Sequence, residues 1–110
     1  MSAEPVVVKR GQARVFLEGP ELCREYMRTE KIWFGTSTLH AGDRGAIDTG
    51  HPGAHEIFFV VTGHVLLLGD EEKYYELDEG DAILFPEGVP HTIINIGEVM
   101  ATLIWAGGPS

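Results

Sequence analysis

The feature that most limits the fold of this chain is a succession of short apolar runs, each closed by glycine, proline or acidic residues such as "HPG", "GDEE" and "DEGD". Many short strands separated by turns at this spacing are typical of a β-barrel or β-sandwich. An all-β fold is therefore predicted, with strands at residues 6–8, 13–17, 32–40, 45–49, 56–61, 64–68, 73–77, 82–85, 91–96 and 101–105.

The segment "GPELCREYMRTEK" (residues 19–31) fits two structures. Leu22 and Tyr26 are four residues apart, as are Cys23 and Met27, which is the spacing of one helix face. Read with a period of two, the same residues form a strand with polar edges. We predict a strand, because the neighbouring segments all favour β structure.

Size, charge and cysteine content narrow the class of protein. The chain has 110 residues, the size of one domain, and a net charge of −9. A surface this acidic repels phosphate backbones and anionic lipids, so neither nucleic acid nor membrane is expected as a partner. Cys23 is the only cysteine, which fits a reducing compartment. We expect a cytoplasmic protein, because residues 1–12 lack the apolar core of a secretory signal.

The residues around Glu56 give the first indication of a site. Thr62 and Gly63 resemble a two-residue hairpin turn, which would pair strand 56–61 with strand 64–68. Glu56 would then share one face with Phe58, Val60, Val65 and Leu67, while His64 would lie on the other. A carboxylate among apolar side chains is costly unless a cation pairs it. The alternative is that Glu56 sits at the strand end and reaches water.

Two histidines could join Glu56 at the same point. His51 is five residues before Glu56, but Pro52 and Gly53 interrupt the strand and allow both side chains to face inward. His91 opens a further strand after the turn "PEG". Two imidazoles and one carboxylate suit Fe(II), Mn(II), Ni(II), Zn(II) or Cu(II). The sequence therefore predicts a divalent transition metal as cofactor, of unknown identity.

At these residues the chain resembles the cupins, small jelly-roll β-barrels (double-stranded β-helices) of two antiparallel sheets. Their first motif, G-x5-H-x-H-x3,4-E-x6-G, is matched within residues 45–63 by Gly45, His51, Glu56 and Gly63. Their second motif, G-x5-P-x-G-x2-H-x3-N, is matched within residues 80–95 at every fixed position, by Gly80, Pro86, Gly88, His91 and Asn95. The resemblance implies a single cupin domain over residues 1–110.

The resemblance also implies a ligand set, with one departure. The first histidine of the family falls on Thr49, so His51, Glu56 and His91 remain as metal ligands. Either water fills the open position, or His55 swings in through the flexible turn as a fourth ligand; we favour water. The pocket beside the metal is expected to be lined by Phe58, Val60, Val65, Leu67, Ile93 and Asn95.

Function is left between three hypotheses. The first is a metal-dependent enzyme acting on a small polar metabolite by isomerase, lyase or dioxygenase chemistry, with catalytic residues unknown. The second is a non-catalytic module that binds a small ligand or a metal, and the third is a degenerate barrel without metal. Strands 56–61 and 91–96 carry apolar residues on both faces, so we expect a homodimer, with residues 1–31 as part of its interface.

Overall fold

This computed structural model of the chain describes residues 4–110, which form nine β-strands and two single-turn 3₁₀ segments, Arg10–Gln12 and Asp70–Glu72. Among these described residues no helix has the length and apolar character needed to cross a membrane. The strands are β1 (Arg14–Glu18), β2 (Glu21–Arg28), β3 (Trp33–Leu39), β4 (His55–Thr62), β5 (Val65–Leu68), β6 (Tyr74–Leu77), β7 (Ala82–Phe85), β8 (Thr92–Asn95) and β9 (Ala101–Gly108).

The strands form two antiparallel sheets that enclose one core. The larger sheet has six strands in the order β1-β2-β3-β9-β4-β7, and the smaller has three in the order β6-β5-β8. The predicted all-β jelly-roll architecture of two antiparallel sheets is thus confirmed. The segment with two possible structures is strand β2, which has β1 on one side and β3 on the other. It alternates buried Glu21 and Cys23 with partly exposed neighbours, as a strand does.

Two predicted strands are wrong. Residues 6–8 belong to none of the described strands. Residues 45–49 form no ladder either; isolated bridges join Arg44 to Ile94 and Asp48 to His91 instead. Gly50 has a φ of 93°, a left-handed conformation that ends extended pairing at this point.

The predicted hairpin between β4 and β5 is also wrong, although the facing directions were right. Both edges of β4 are occupied, by β7 and by β9, so β5 has no edge of β4 to join and pairs in the other sheet. Thr62 and Gly63 therefore connect two sheets. Val60 and Val65 are still both fully buried, while the His64 side chain lies outside, with Nε2 2.9 Å from Oε1 of Glu76.

The core beneath the site is closely packed. Val60, Val65 and Leu67, each 0% exposed, interlock between the sheets. Asn95 is 1% exposed and ties down backbone, because its amide donates to the carbonyls of Leu39 at 3.0 Å and Val99 at 2.8 Å. These residues give the barrel a rigid floor on which polar side chains can be held in place.

Candidate metal centre

Four side chains from separate segments converge at the start of β4. They are Asp48, His51, Glu56 and His91, and each offers a ligand atom within 4.8 Å of the others. Glu56 is the first inward-facing residue of β4, and His91 immediately precedes β8. Asp48 and His51 lie on the irregular segment that joins β3 to β4. The three residues predicted from the sequence are thus brought together with a fourth.

Backbone hydrogen bonds fix the irregular segment against the approach to β8. Asp48 and His91 each donate a backbone N–H to the other's carbonyl, at 2.9 Å in both directions. The Gly50 N–H donates to Oδ1 of Asp48 at 2.9 Å, which leaves Oδ2 directed at the histidines. A side chain at Gly50 would stand 2.6 Å from the carbonyl carbon of Gly88, so the two segments meet this closely only with glycine there.

The protonation of His91 leaves two acceptor atoms facing each other. Its Nδ1 lies 3.1 Å from the Val89 carbonyl, which assigns the proton of the neutral ring to Nδ1. Nε2 then presents a lone pair to Oε1 of Glu56 at only 2.9 Å. Among the described residues Nε2 of His51, Oε1 of Glu56 and Nε2 of His91 are the buried side-chain polar atoms without a hydrogen-bond partner. Buried acceptors left unpaired in this way are costly, and a shared cation would satisfy all three.

The spacing of the donor atoms suits a transition metal. Oε1 of Glu56 is 3.4 Å from Nε2 of His51 and 2.9 Å from Nε2 of His91. Oδ2 of Asp48 is 3.3 Å from the first of these nitrogens and 3.6 Å from the second. Ligands bound about 2.0–2.2 Å from one ion lie roughly 3–3.5 Å apart, so the four atoms fit around a single ion with little movement.

The surroundings favour positive charge at this point. Burial lowers the pKa of His91, but the Glu56 carboxylate, the Val89 carbonyl and Asp48 together raise it by more, so the pKa lies above its ordinary value. The Phe85 ring stacks on His91 with centroids 4.6 Å apart, and Trp33 donates its indole N–H to Oε2 of Glu56 at 3.3 Å. The side chains are therefore held in orientation by contacts that do not use the converging atoms.

The structure places Thr49 and His55 away from the cluster. Thr49 is exposed, and His55 is an exposed residue of β4 that pairs with Gly108 on its outward face. Strand geometry turns His55 away from Glu56, its immediate neighbour, so in this structure it brings no donor atom to the cluster. The fourth side chain that faces the converging atoms is Asp48.

Asp48 is the site residue that sequence reasoning missed. The strand assumed at residues 45–49 put Asp48 on the face opposite to His51, whereas the real segment is irregular and reverses that parity. The pattern Asp48-Thr49-Gly50 could have indicated it, because Asp two residues before a glycine often turns back to accept that glycine's N–H.

A cavity of about 70 Å³ lies beside the four side chains. Of the predicted pocket residues, Phe58 and Ile93 line it, while Val60, Val65, Leu67 and Asn95 belong to the packed floor and do not. The rest of its wall comes from Ala46 and from β1, β2, β3 and β9, whose contribution includes Glu18, Glu21, Cys23, Trp33 and Trp105. A space of this size holds a few water-sized groups beside an ion.

Solved structures share this fold over nearly the whole chain. KdgF from Halomonas sp. superposes with a TM-score of 0.79 at 17% identity, over 97% of this chain and 96% of its own. A predicted oxalate decarboxylase from Thermotoga maritima gives 0.77 at 18% identity, over 93% and 97%. The FeII form of HppE gives 0.79 at 18% identity, over 94% of this chain and 60% of that protein.

Sequence comparison agrees with the structural likeness. A curated relative, an uncharacterized protein of Methanocaldococcus jannaschii, is 36% identical over 59 residues, or 54% of this chain. The match spans just under half of that protein, 46% of its length. The profile of the cupin domain family matches residues 35–107, which begin inside β3, end inside β9 and include all four converging side chains. On this match, and on the two-sheet barrel that contains it, the chain belongs to the cupin family.

Proposed function

We propose that this chain holds one divalent transition metal between Asp48, His51, Glu56 and His91, and uses it to bind and transform a small polar metabolite. The observation that carries the proposal is the group of three buried, unpartnered atoms on His51, Glu56 and His91. Two structural neighbours bear names that fit such chemistry, an FeII protein and a predicted decarboxylase. Because their identity to this chain is low, they support the class of site and leave the reaction open.

The bound metal would supply Lewis acidity, or a site for O2, to a ligand that chelates it. The chain's own residues would do the rest. Phe58 and Phe85 exclude water from one side of His91, with ring centroids 5.3 Å and 4.6 Å from its ring. His51, whose side chain is 34% exposed, lies at the entrance, where an incoming molecule would first meet the centre.

Elemental analysis of untagged protein purified without added metal tests this proposal directly. We expect close to one transition-metal ion per chain, because the four donors complete one coordination sphere. Protein that is free of metal, and whose melting temperature does not respond to added Mn²⁺, Fe²⁺, Ni²⁺ or Zn²⁺, would leave the degenerate barrel as the better description.

The fourth donor gives a prediction that separates Asp48 from its neighbour. Asp48→Ala should weaken metal binding by at least about tenfold, because it removes a carboxylate directed at the ion. Thr49→Ala should leave affinity unchanged, because Thr49 is exposed. Competitive titration with a chromophoric chelator measures both. Equal losses in the two variants would mean that Thr49 takes the family's ligand position after all.

A non-catalytic binding module is the second candidate. The observation that favours it is the cavity wall formed by Glu18, Glu21 and Cys23, which could hold a small ligand independently of the metal cluster. Stabilisation by a small metabolite that survives both His51→Ala and His91→Ala would support this candidate over metal-dependent chemistry.

We further propose that the chain forms a homodimer through the outer face of the six-stranded sheet. Side chains on this face are large, apolar and exposed; Ile57, Phe59 and Leu84 are 44%, 40% and 48% exposed. Ile57 pairs with Leu84 on β7 and with Ala106 on β9, which in turn pairs with Phe34, so the apolar surface crosses four strands. An apolar surface this continuous favours association with a second copy.

The dimer proposal predicts that Phe59→Glu gives monomers at micromolar concentration. In a dimer of this variant, each chain would bury one unpaired carboxylate in the apolar interface. Val99→Glu is the matched control: Val99 is 62% exposed but lies in the loop after β8, so its variant should stay dimeric. Sedimentation velocity distinguishes the species. A wild-type protein that sediments as a monomer would contradict the proposal.

A further inference from the structure

A second polar group faces the same cavity from β2 and takes no part in the metal cluster. Glu21 is 5% exposed and lines the cavity together with Cys23, which is 2% exposed. A buried carboxyl group is normally paired with a cation or neutralised by a proton. The surroundings of Glu21 show which of these applies.

Hydrogen bonds to Glu21 all converge on one of its oxygens. The Trp105 indole N–H donates to Oγ of Ser37 at 2.9 Å, and the Ser37 hydroxyl donates to Oε2 of Glu21 at 2.5 Å. The Cys23 thiol donates weakly to the same Oε2 at 3.4 Å. No described residue donates to or accepts from Oε1. Because Oε2 already accepts two hydrogen bonds, a proton on this carboxyl group belongs on Oε1.

Charges around Glu21 favour the protonated form. Burial raises the pKa of Glu21, the Ser37 hydrogen bond lowers it, and the negative charges of Glu18 and Glu56 raise it; the sum is an increase. Arg28 also lines the cavity, but its Nε is 2.6 Å from Oε1 of Glu25, which already pairs it. Arg28 is the one Lys or Arg among the described residues around this cavity, so in the metal-free protein no side-chain cation is left to stabilise a Glu21 carboxylate.

We propose that Glu21 is held as a carboxylic acid whose Oε1–H donates a hydrogen bond across the cavity to a ligand bound at the metal centre. The donor role rests on the proposed function. Gly45 keeps Oε1 accessible, since a Cβ there would lie 2.8 Å from it. His91 and Glu56, which carry unpartnered atoms, line the same cavity as Glu21, so one ligand there can reach both the metal and the acid.

The proposal narrows the class of ligand. A neutral acid donates a hydrogen bond and offers no charge to an ammonium group. The ligand is therefore a small carbonyl, carboxylate or alcohol compound that presents one oxygen to the metal and an acceptor oxygen to Glu21.

Infrared spectroscopy of the metal-free protein at neutral pH tests the protonation state without any substrate. We expect the carbonyl-stretch band of a protonated carboxylic acid in the wild-type protein, and its loss in Glu21→Gln. Glu25→Gln is the matched control on the same strand: Arg14 and Arg28 lower the pKa of Glu25 against the opposing effect of burial, so this variant should keep the band. A wild-type protein without the band, or a Glu21→Gln protein that retains it, overturns the proposal.

Azide binding to the Co²⁺-loaded protein tests the donor role. Glutamine keeps an N–H donor at this position, so Glu21→Gln should bind azide within about twofold of wild type, whereas Glu21→Leu should bind roughly tenfold more weakly. Markedly tighter binding by Glu21→Gln would show that a negative charge had been removed, and overturns the proposal. Unchanged binding by Glu21→Leu overturns the donor role.

These outcomes separate the two proposals. A wild-type protein that takes up no Co²⁺ refutes the metal centre and with it the donor role, whatever the infrared result. A protein that binds Co²⁺ but fails either test of Glu21 refutes only the present inference. If Glu21→Leu does not fold, the isosteric Glu21→Gln decides both tests.

Discussion

Replacing Glu56 by glutamine is expected to empty the metal centre while leaving the metal-free fold as stable as before, or more so, at a pH above the raised pKa of His91. The Glu56 carboxylate is 6% exposed, and its Oε1 lies against the unpaired Nε2 of His91 at 2.9 Å. In the absence of a cation this contact is unfavourable unless His91 takes up a proton, and an amide N–H at the same position could donate to the ring nitrogen. With a cation, the amide is a far poorer ligand than the carboxylate.

We expect Glu56→Gln to lower the metal affinity by about a hundredfold or more. Residues that only orient a metal ligand already contribute about 10–100-fold to the affinity, and Glu56 would bind the ion itself. Isothermal titration of metal and thermal unfolding of the metal-free protein give the two quantities. Glu76→Gln is the matched control, since Glu76 is 59% exposed and forms its ion pair with the outward-facing His64, away from the metal centre. Stoichiometric metal in Glu56→Gln would contradict the ligand assignment, and a large loss of metal-free stability would show that Glu56 is structural.

The second large effect is stabilisation of the whole domain by metal. A ligand at a hundred times its Kd adds about 2.7 kcal/mol to the free energy of unfolding. For a domain of this size each kcal/mol raises Tm by roughly 4–8 °C, so we expect an increase of about 10 °C or more. The effect should be large here because the four donors come from β4 and from two irregular segments that the ion would tie together.

Differential scanning calorimetry with and without metal measures this increase. His91→Ala should abolish it, because the variant lacks a donor that is 3% exposed. His64→Ala should retain the full increase, because His64 lies outside the barrel, beside Glu76 and Asp78. An equal response in all three proteins would indicate non-specific binding of metal to the acidic surface.

The fold was predictable because its signals are local. Along β4, the alternation of residue types predicts which side chains are buried, and Glu56, Phe58 and Val60 do face inward. The pairing of strands was not predictable by the same means. Thr62 and Gly63 have the composition of a hairpin turn, and only the occupation of both β4 edges by β7 and β9 excludes that hairpin. Edge occupancy depends on residues more than twenty positions away, which a local turn rule does not consider.

In the candidate site, too, some residues could be predicted from the sequence and others could not. His51, Glu56 and His91 could be selected from their types and spacing, and the structure brings them together. Asp48 was missed, because its direction depends on a break in the strand at Gly50 and on a bridge to His91. Glu21 gave no signal at all: its burial follows from the position of β2 between β1 and β3, and its hydrogen bonds depend on Ser37 and Trp105.

The paired backbone hydrogen bonds between Asp48 and His91 have an evolutionary consequence. Main-chain atoms, which every residue type other than proline provides, set where position 48 sits relative to the ion. The side chain at that position can therefore change between lineages without shifting the barrel. A single codon could exchange an oxygen donor for a nitrogen donor there, so descendants of one scaffold could come to depend on different elements from their environment.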